Sequence, residues 1–216
     1  MVLKIWGRRN SQNVQKVMWL VGELGLAHKH IPAGGPFGGL DAPEFLAMNP
    51  NGLVPVIDDS GAVVWESHAI LRYLAAAHGG KDFWPADPFA RSLSDRWIEW
   101  CAQLWQPAFL GGVFWAGYRT PKAHRDRAAV ARAVARAGDL MLLLERNFGQ
   151  GAYLTGERLS LGDIPIGSSL YRYFTLDIER PKLPKIEAWY ARLGERPAFR
   201  EHVMVPYDDL EGRLMF

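Results

Sequence analysis

The chain has 216 residues, of which 49% are hydrophobic, and its formal net charge is +2. That length is enough to bury a core in one or two compact domains, and the balanced charge argues against nucleic acid as a partner. The longest apolar run beyond the N-terminus, residues 140–144, is far too short to cross a bilayer. No export signal is visible at the start, so the sequence predicts no membrane partner and a cytoplasmic location.

The cysteine and histidine residues of the chain limit which metal sites it can form. The single cysteine, Cys101, cannot form an intrachain disulfide, and it rules out a Cys-rich metal site. Cys101 also falls at helical spacing with Trp97 and Leu104, which is typical of a small buried hydrophobic residue. The six histidines show no ligand spacing such as HExxH. We therefore predict no metal and no nucleotide cofactor.

The N-terminal residues predict a strand, a polar turn and a helix. Leu3 and Ile5 alternate with polar neighbours, and apolar residues from Val14 onward then recur at steps of three and four until Gly25. Ser11 lies in the polar turn just before this helix. Because unpaired backbone N–H groups converge at a helix N-terminus, we predict that Ser11 lies at a place suited to an anion. The alternative is that Ser11 only caps the helix.

The next elements complete a small α/β domain of βαβ-ββα order. The patterns predict a strand, a short helix, a two-stranded hairpin and a longer helix, at residues 28–32, 43–48, 53–57 with 62–65, and 67–77. Gly79 and Gly80 then end the last helix. We predict a first domain over residues 1–80 and a linker with two prolines over 81–88.

Two dipeptides in this domain predict a site for a small peptide. Pro55 cannot donate a ladder hydrogen bond, so we expect it at a free sheet edge or at the first residue of a strand. A cis Val54-Pro55 bond would aim the backbone groups of Val54 outward, where an extended peptide can pair with them. Ser67 and the first turn of its helix suit a carboxylate, and Glu66 suits an ammonium group.

The remaining residues, 89–216, have mainly helical periodicity. We predict helices at residues 89–117, interrupted near Pro107, and at 122–148, 163–175 and 184–193. Ser160 and Asp163 have the spacing of a capping box, which is a folding signal. Aromatic residues cluster near the interruption, and we expect some of them, Phe109 and Trp115 first, to face a cleft.

These motifs together resemble the glutathione transferase superfamily. The hydrophobic-Pro step, the Glu-Ser pair and the placement of Ser11 six residues before Val17 are similar to its theta and delta classes. Ser11-Gln12-Asn13 also fits the Thr/Ser-x-Asn pair of a nu-like bacterial class. The resemblance covers nearly the whole chain. It implies a thioredoxin-like α/β N-terminal domain followed by an all-α helical C-terminal domain.

The resemblance also implies a function and a set of site residues. It implies a glutathione transferase, active in detoxification, in which Ser11 and Asn13 hold the glutathione thiol as a thiolate that attacks a hydrophobic electrophile. Glutathione would bind along Leu53, Val54, Pro55, Glu66 and Ser67, and the pocket for the electrophile would include Asn10, Phe109 and Trp115. Most relatives are homodimers, so we expect a homodimer.

The sequence leaves several alternatives open. Many family members carry a charged or polar residue where this chain has Leu53, so we expect weaker glutathione binding. The motifs do not determine which of Ser11, Asn10 and Asn13 contacts the sulfur, nor the physiological electrophile. Glutathione-dependent reduction of a disulfide or peroxide would use the same site. A non-catalytic protein-binding module with this fold is a further alternative.

Overall fold

The computed structural model describes residues 2–213, which form two compact units. The first unit consists of residues 2–86 and 196–205, and the second consists of residues 87–195 and 206–213. The boundary predicted from the sequence, with everything beyond residue 88 in the helical domain, differs at residues 196–205. The first unit is the α/β unit and the second is helical.

A four-stranded mixed sheet forms the centre of the first unit. Its strands are β1 (Leu3–Trp6), β2 (His28–Ile31), β3 (Val56–Asp59) and β4 (Ala62–Trp65), and their spatial order is β2-β1-β3-β4. The first two strands are parallel, whereas β3 is antiparallel to both β1 and β4. Ile5 pairs with Ile57 across β1 and β3, and both side chains are fully buried. The sheet confirms the thioredoxin-like arrangement.

Helices account for most of the remaining structure. In chain order they are α1 (Gln12–Glu23), α2 (Pro43–Met48), α3 (Ser67–His78), α4 (Gly80–Phe83), α5 (Pro88–Trp100), α6 (Arg127–Asn147), α7 (Asp163–Thr175), α8 (Pro184–Gly194) and α9 (Pro197–His202). Short 3₁₀ turns occur at Gly35–Phe37, Lys122–His124 and Asp208–Leu210.

The strand that follows Pro55 differs from the prediction in two respects. It spans Val56–Asp59 rather than residues 53–57, because the hairpin turn lies at Ser60 and Gly61, two residues with positive φ. It is also a central strand, so the predicted free sheet edge is wrong. Pro55 lies just before the first paired residue, where its missing N–H removes no ladder bond.

The predicted helix over residues 89–117 consists of two segments of different type. After α5, the segment Cys101–Arg119 is a π-helix that contains Pro107. At its end the N–H of Thr120 donates to the carbonyl of Trp115, five residues earlier, at 2.9 Å. The wider turn of a π-helix shifts side chains away from a 3.6-residue period, which the sequence pattern did not reveal.

Helix α9 belongs to the first unit because it packs on α1. The rings of Trp19 and Phe199 meet edge to face at 4.9 Å, and both side chains are fully buried. Arg196 donates to both carboxylate oxygens of Glu23, at 2.8 and 2.6 Å. Gly22 permits the close approach, since a Cβ there would lie 2.8 Å from Ala198. These contacts explain the difference from the predicted domain boundary.

Of the capping box predicted at the start of α7, the bond from the carboxylate back to Ser160 is present, but the helix begins at Asp163 with Gly162 as its N-cap and has no side-chain capping bond. The Asp163 carboxylate accepts from the Ser160 N–H at 2.8 Å and from the Ser160 hydroxyl at 2.7 Å. It also accepts from the N–H of Leu154 at 2.9 Å, and Asp163 is fully buried. The carboxylate therefore joins the preceding loop to the core helix of the second unit.

Candidate functional site

Ser11 lies immediately before α1, as predicted. Its backbone is extended, its carbonyl accepts the first helical bond from Gln15 at 2.9 Å, and its side chain makes no capping hydrogen bond. Ser11 is half-buried. Because capping does not use its hydroxyl, this group can donate to an anion at the helix N-terminus. This geometry argues against the alternative that Ser11 serves only as a cap.

Asn13 and Ser67 bring the N-termini of two helices together. The Ser67 hydroxyl donates to Oδ1 of Asn13 in a long hydrogen bond of 3.5 Å, although the two residues are 54 positions apart in the chain. Ser67 is buried at the first position of α3, and Asn13 is half-buried in the first turn of α1. Two positive helix ends therefore meet where the sequence predicts an anionic ligand.

Glu66 precedes α3 in an unusual backbone conformation, with φ 70° and ψ 117°. A side chain with a Cβ rarely adopts positive φ, and such strain is typical of functional sites. The side chain is exposed, so its carboxylate is accessible to a ligand. The conformation places Glu66 beside the first turn of α3, as the predicted ammonium contact requires.

The loop before β3 is held in shape by Asn49. This residue is buried, and its amide donates to the carbonyl of Leu53 at 2.8 Å. The Val54-Pro55 bond is cis, as predicted. Leu53 is 58% exposed and offers no charge for a ligand carboxylate.

Gly7 allows this loop to approach the turn before α1. Its φ is +151°, and a Cβ there would lie 2.3 Å from the side chain of Val14 and 3.3 Å from that of Val54. No other amino acid fits without displacing one of these side chains. The turn that carries Ser11 and the loop that carries Val54 therefore adjoin through a glycine contact.

Two residues at this site were missed by the sequence analysis. Lys16 on α1 is fully buried, and its Nζ lies 3.0 Å from Oδ1 of Asn13 and 3.0 Å from Nε2 of His68. Burial is the main cause that lowers the pKa of His68 to about 2, with the nearby Lys16 and Arg72 charges adding to the effect. His68 is therefore neutral. The signal in the sequence was a lysine flanked by the buried positions Gln15 and Val17.

The predicted electrophile-pocket residues lie in different environments. Phe109 is fully buried and stacks on Trp105 at 4.9 Å, so it is a core residue of the second unit. Trp115 is 46% exposed, and Asn10 is half-buried in the turn before Ser11.

The second unit also contains a cavity of about 870 Å³. Its walls come from the π-helix, α6 and the segment after α9, and they include Val113, Tyr118, Val130, Val134, Thr175 and Tyr207. Neither Phe109 nor Trp115 is among its lining residues. The sequence pattern that pointed to these two residues did not identify the cavity.

Among residues 2–213, no three or more His, Cys, Asp or Glu side chains are grouped so that they could hold a metal ion. No helix within the same range has the length and apolar character needed to span a membrane. Cys101 is buried, as expected.

Comparison with known proteins supports one family. Residues 1–76 match the family model of the glutathione S-transferase N-terminal domain, and residues 108–197 match that of the glutathione S-transferase C-terminal domain. The chain is 38% identical over 207 residues to glutathione S-transferase GstB of Escherichia coli, covering 95% of this chain and 99% of that protein. It is 29% identical to glutathione S-transferase 3 of Zea mays, with 93% of each chain covered.

A solved structure gives the same result. The chain resembles a theta class glutathione S-transferase from Xanthomonas axonopodis pv. citri with glutathione bound, at 45% identity and a TM-score of 0.90. The match covers 95% of this chain and 98% of that one. A delta class relative from Nilaparvata lugens, at 23% identity and a TM-score of 0.82, shares the fold. These findings favour a transferase over the oxidoreductase and the non-catalytic module.

Proposed function

This chain belongs to the glutathione S-transferase family and is a glutathione transferase, and we propose that Ser11 and Asn13 hold the thiol of glutathione as a thiolate. The meeting of the α1 and α3 N-termini at Asn13 and Ser67 is the observation that carries this proposal. Both helices have twelve residues, so each has a full dipole and free N–H groups in its first turn.

Stabilising the glutathione thiolate requires hydrogen-bond donors rather than a general base. A free thiol has a pKa near 8.5, and a shift of about two units corresponds to roughly 2.7 kcal/mol of thiolate stabilisation. A serine hydroxyl, an amide N–H and a helix end supply an effect of that order. The thiol proton leaves to solvent. The sulfur then forms a bond to an electrophilic carbon, and the leaving group departs with its electron pair.

Glutathione binding is assigned to the residues around this point. We propose that Val54, which lies before the first paired residue of β3, pairs with the peptide backbone of glutathione, and that Ser67 and the α3 N-terminus hold its α-carboxylate. Glu66 would pair with its ammonium group. Leu53 contributes only its backbone, which fits weak capture of the glycine carboxylate.

A titration of bound glutathione tests the thiolate proposal. The ultraviolet absorbance of the thiolate, followed against pH, gives the thiol pKa on the wild type and on Ser11→Ala, Asn13→Ala and the double variant. We expect each single change to raise this pKa by about one unit and the double change to raise it further. Ser92→Ala, an exposed serine of α5, is the matched control and should leave the pKa unchanged. An unaltered pKa in the double variant would refute the role of both residues.

The electrophile and the assembly are proposed on the resemblance. Trp115, which is 46% exposed on the second unit, is proposed to contact the hydrophobic electrophile. Conjugation of an aryl halide should outpace exchange with a mixed disulfide, and Trp115→Ala should lower kcat/KM for the aryl halide.

We also propose a homodimer, for which analytical ultracentrifugation should give twice the mass of the chain. The cytoplasmic location stays a prediction.

A further inference from the structure

The cavity of the second unit is not used by the thiolate chemistry proposed above. Its volume is about 870 Å³, which lies within the range of clefts that bind drug-sized molecules. All of its lining residues belong to the second unit. Six of them are aliphatic: Val113, Val130, Ala131, Val134, Leu176 and Ile178. A ligand that fills this cavity therefore needs an apolar body.

Three polar groups that line the cavity are available to a ligand. The carboxylates of Asp177 and Asp208 and the hydroxyl of Tyr118 make no hydrogen bond or ion pair with any residue that the structure describes. Both aspartates are exposed and Tyr118 is half-buried. The hydroxyls of Tyr207 and Thr175, by contrast, already bond to each other at 2.7 Å. The unpaired groups are therefore two anions and one phenol.

The electrostatic surroundings of the Tyr118 hydroxyl disfavour an anion. Burial is the first cause that raises the pKa of Tyr118 to about 12, and the charges of Asp208 and Glu211 add to the effect. The phenol is therefore protonated at neutral pH, and its oxygen can accept a hydrogen bond. The same carboxylates that oppose a phenolate would attract an ammonium group placed beside the hydroxyl.

Two of the basic side chains that line the cavity have partners within the protein. Arg125 donates to the carbonyls of Tyr118 and Thr120, at 3.1 and 2.8 Å, and so compensates the negative end of the π-helix. The Nζ of Lys122 lies 3.9 Å from a carboxylate oxygen of Glu211. Neither side chain therefore presents an unpaired positive charge to a ligand.

The third basic side chain, Arg127, is exposed and directly follows Asp126, the N-cap of α6. Asp177 and Asp208 have no basic residue next to them in the chain. We propose that this cavity binds an organic cation, with an ammonium group beside Tyr118 and Asp208 and an apolar ring system against the aliphatic wall. Such a ligand matches both the unpaired carboxylates and the apolar lining, and its binding does not require glutathione.

Three probes that share one ring system separate the effect of charge from that of apolar burial. At pH 7, 1-pyrenemethylamine is a cation, 1-pyrenemethanol is neutral and 1-pyrenecarboxylate is an anion. Fluorescence titration of the whole protein without glutathione gives the three dissociation constants. We expect the amine to bind about fivefold more tightly than the alcohol and the carboxylate to bind most weakly, with added salt reducing the difference. Equal affinities for the amine and the carboxylate would overturn the proposal.

A substitution in the aliphatic wall tests whether the amine occupies this cavity. Val134→Trp fills part of the cavity and should weaken binding of the amine about tenfold. Ala135→Trp is the matched control, because Ala135 is an exposed neighbour on α6 and is not among the lining residues. A folded Val134→Trp protein that binds the amine as tightly as the wild type would place the probe elsewhere and refute the proposal.

Charge variants keep the proposal testable if Val134→Trp does not fold, as judged by circular dichroism. Asp208→Asn should weaken binding of the amine about threefold and leave binding of the alcohol unchanged. Asp139→Asn, which removes an exposed carboxylate of α6 outside the lining residues, should change neither. Adding Asp177→Asn to Asp208→Asn should reduce the preference for the amine over the alcohol to less than about twofold. A full preference in this double variant would show that these carboxylates do not hold the cation.

Discussion

At the residue scale, Glu66 combines backbone strain with a proposed role in glutathione binding. Substitutions can separate its effect on stability from its effect on binding. Glycine adopts a φ of 70° without steric cost, so Glu66→Gly should raise the free energy of unfolding by about 1 kcal/mol. It should also weaken glutathione binding several-fold by removing the partner of the ammonium group. Denaturant unfolding and calorimetry measure the two effects.

The control for this prediction is Glu66→Gln, which keeps the Cβ and loses the charge. It should bind glutathione as weakly as the glycine variant, yet unfold within about 0.5 kcal/mol of the wild type. A glycine variant that is no more stable than the glutamine variant would show that the conformation of Glu66 is not strained.

Leu53 is the position where a single change should tighten glutathione binding. It is 58% exposed, and its carbonyl is already fixed by Asn49 at 2.8 Å, so a longer side chain meets no packing constraint. Leu53→Lys should lower the glutathione Kd roughly fivefold by pairing with the glycine carboxylate, and added salt should reduce the gain. Leu53→Met, which is flexible but uncharged, should bind as the wild type does. Equal affinities for the two variants would place the glycine carboxylate elsewhere.

Residue-scale inference from the sequence depends on whether the signal is local. Ser11 and Glu66 were identified because each precedes a helix, and the neighbouring residues are enough to predict where that helix begins. The burial of Lys16 and its contact with His68 come from the packing of α1 on α3, 52 residues apart in the chain. A helical pattern of apolar residues leaves lysines unassigned, so it cannot separate a solvated lysine from one that a second helix covers.

At the element scale, the start of α7 contains a titratable carboxyl group, that of Asp163, whose contribution to stability depends on pH. Burial raises the pKa of Asp163 to about 6, against the opposing effect of the bonds from Leu154 and Ser160. Because its folded pKa lies above the usual 3.8, the native state binds the proton more tightly than the unfolded state. The stability that this group contributes is therefore fully present below about pH 4 and is lost as the pH rises through about 6.

Asp163→Asn isolates this effect because asparagine does not titrate. The free energy of unfolding of the wild type, minus that of the variant, should fall by up to roughly 3 kcal/mol between pH 4 and pH 7. Denaturant unfolding at several pH values measures the difference, in which all other titrating groups cancel. A difference that is constant with pH would mean that the buried carboxyl has an ordinary pKa.

Element boundaries were predicted well where the chain marks them locally. The predicted ranges of α2, β4 and α7 coincide with the structure, because a proline at the helix start, a hairpin turn and the spacing of Ser160 and Asp163 define them. The junction between α5 and the π-helix has no such marker, since helical residues continue on both sides. Helix α9 has six residues, too few to give a periodic pattern.

The docking of α9 on α1 predicts a large effect from one aromatic residue. Phe199 is fully buried against Trp19, so Phe199→Ala should cost about 3 to 4 kcal/mol by leaving a cavity. The matched control is Phe89→Ala, because Phe89 is 71% exposed and should tolerate the change within about 0.5 kcal/mol. Similar losses from both substitutions, measured by denaturant unfolding, would contradict the packing of α9.

At the scale of the whole molecule, the first unit is discontinuous in the sequence. Residues 2–86 build the sheet and four helices, and residues 196–205 return to the same unit after residues 87–195 of the helical unit. The predicted order of elements assigned residues 196–205 to the second domain. Element order alone does not show that a late segment of the chain packs on the first domain. The contacts of Trp19 with Phe199 and of Glu23 with Arg196 reveal the assignment.

A fragment of the first unit should therefore need α9 to fold. Residues 1–86 joined by a flexible linker to 196–205 should unfold cooperatively on heating, whereas the same fragment carrying Arg196→Ala and Phe199→Ala should lose more than about 15 °C in Tm or fail to fold. The double change removes the charged bonds to Glu23 and the ring that covers Trp19, and leaves the sheet sequence intact. Circular dichroism follows both fragments. If their Tm values are equal, α9 is not part of the folding unit that carries the glutathione site, and the unit ends at residue 86.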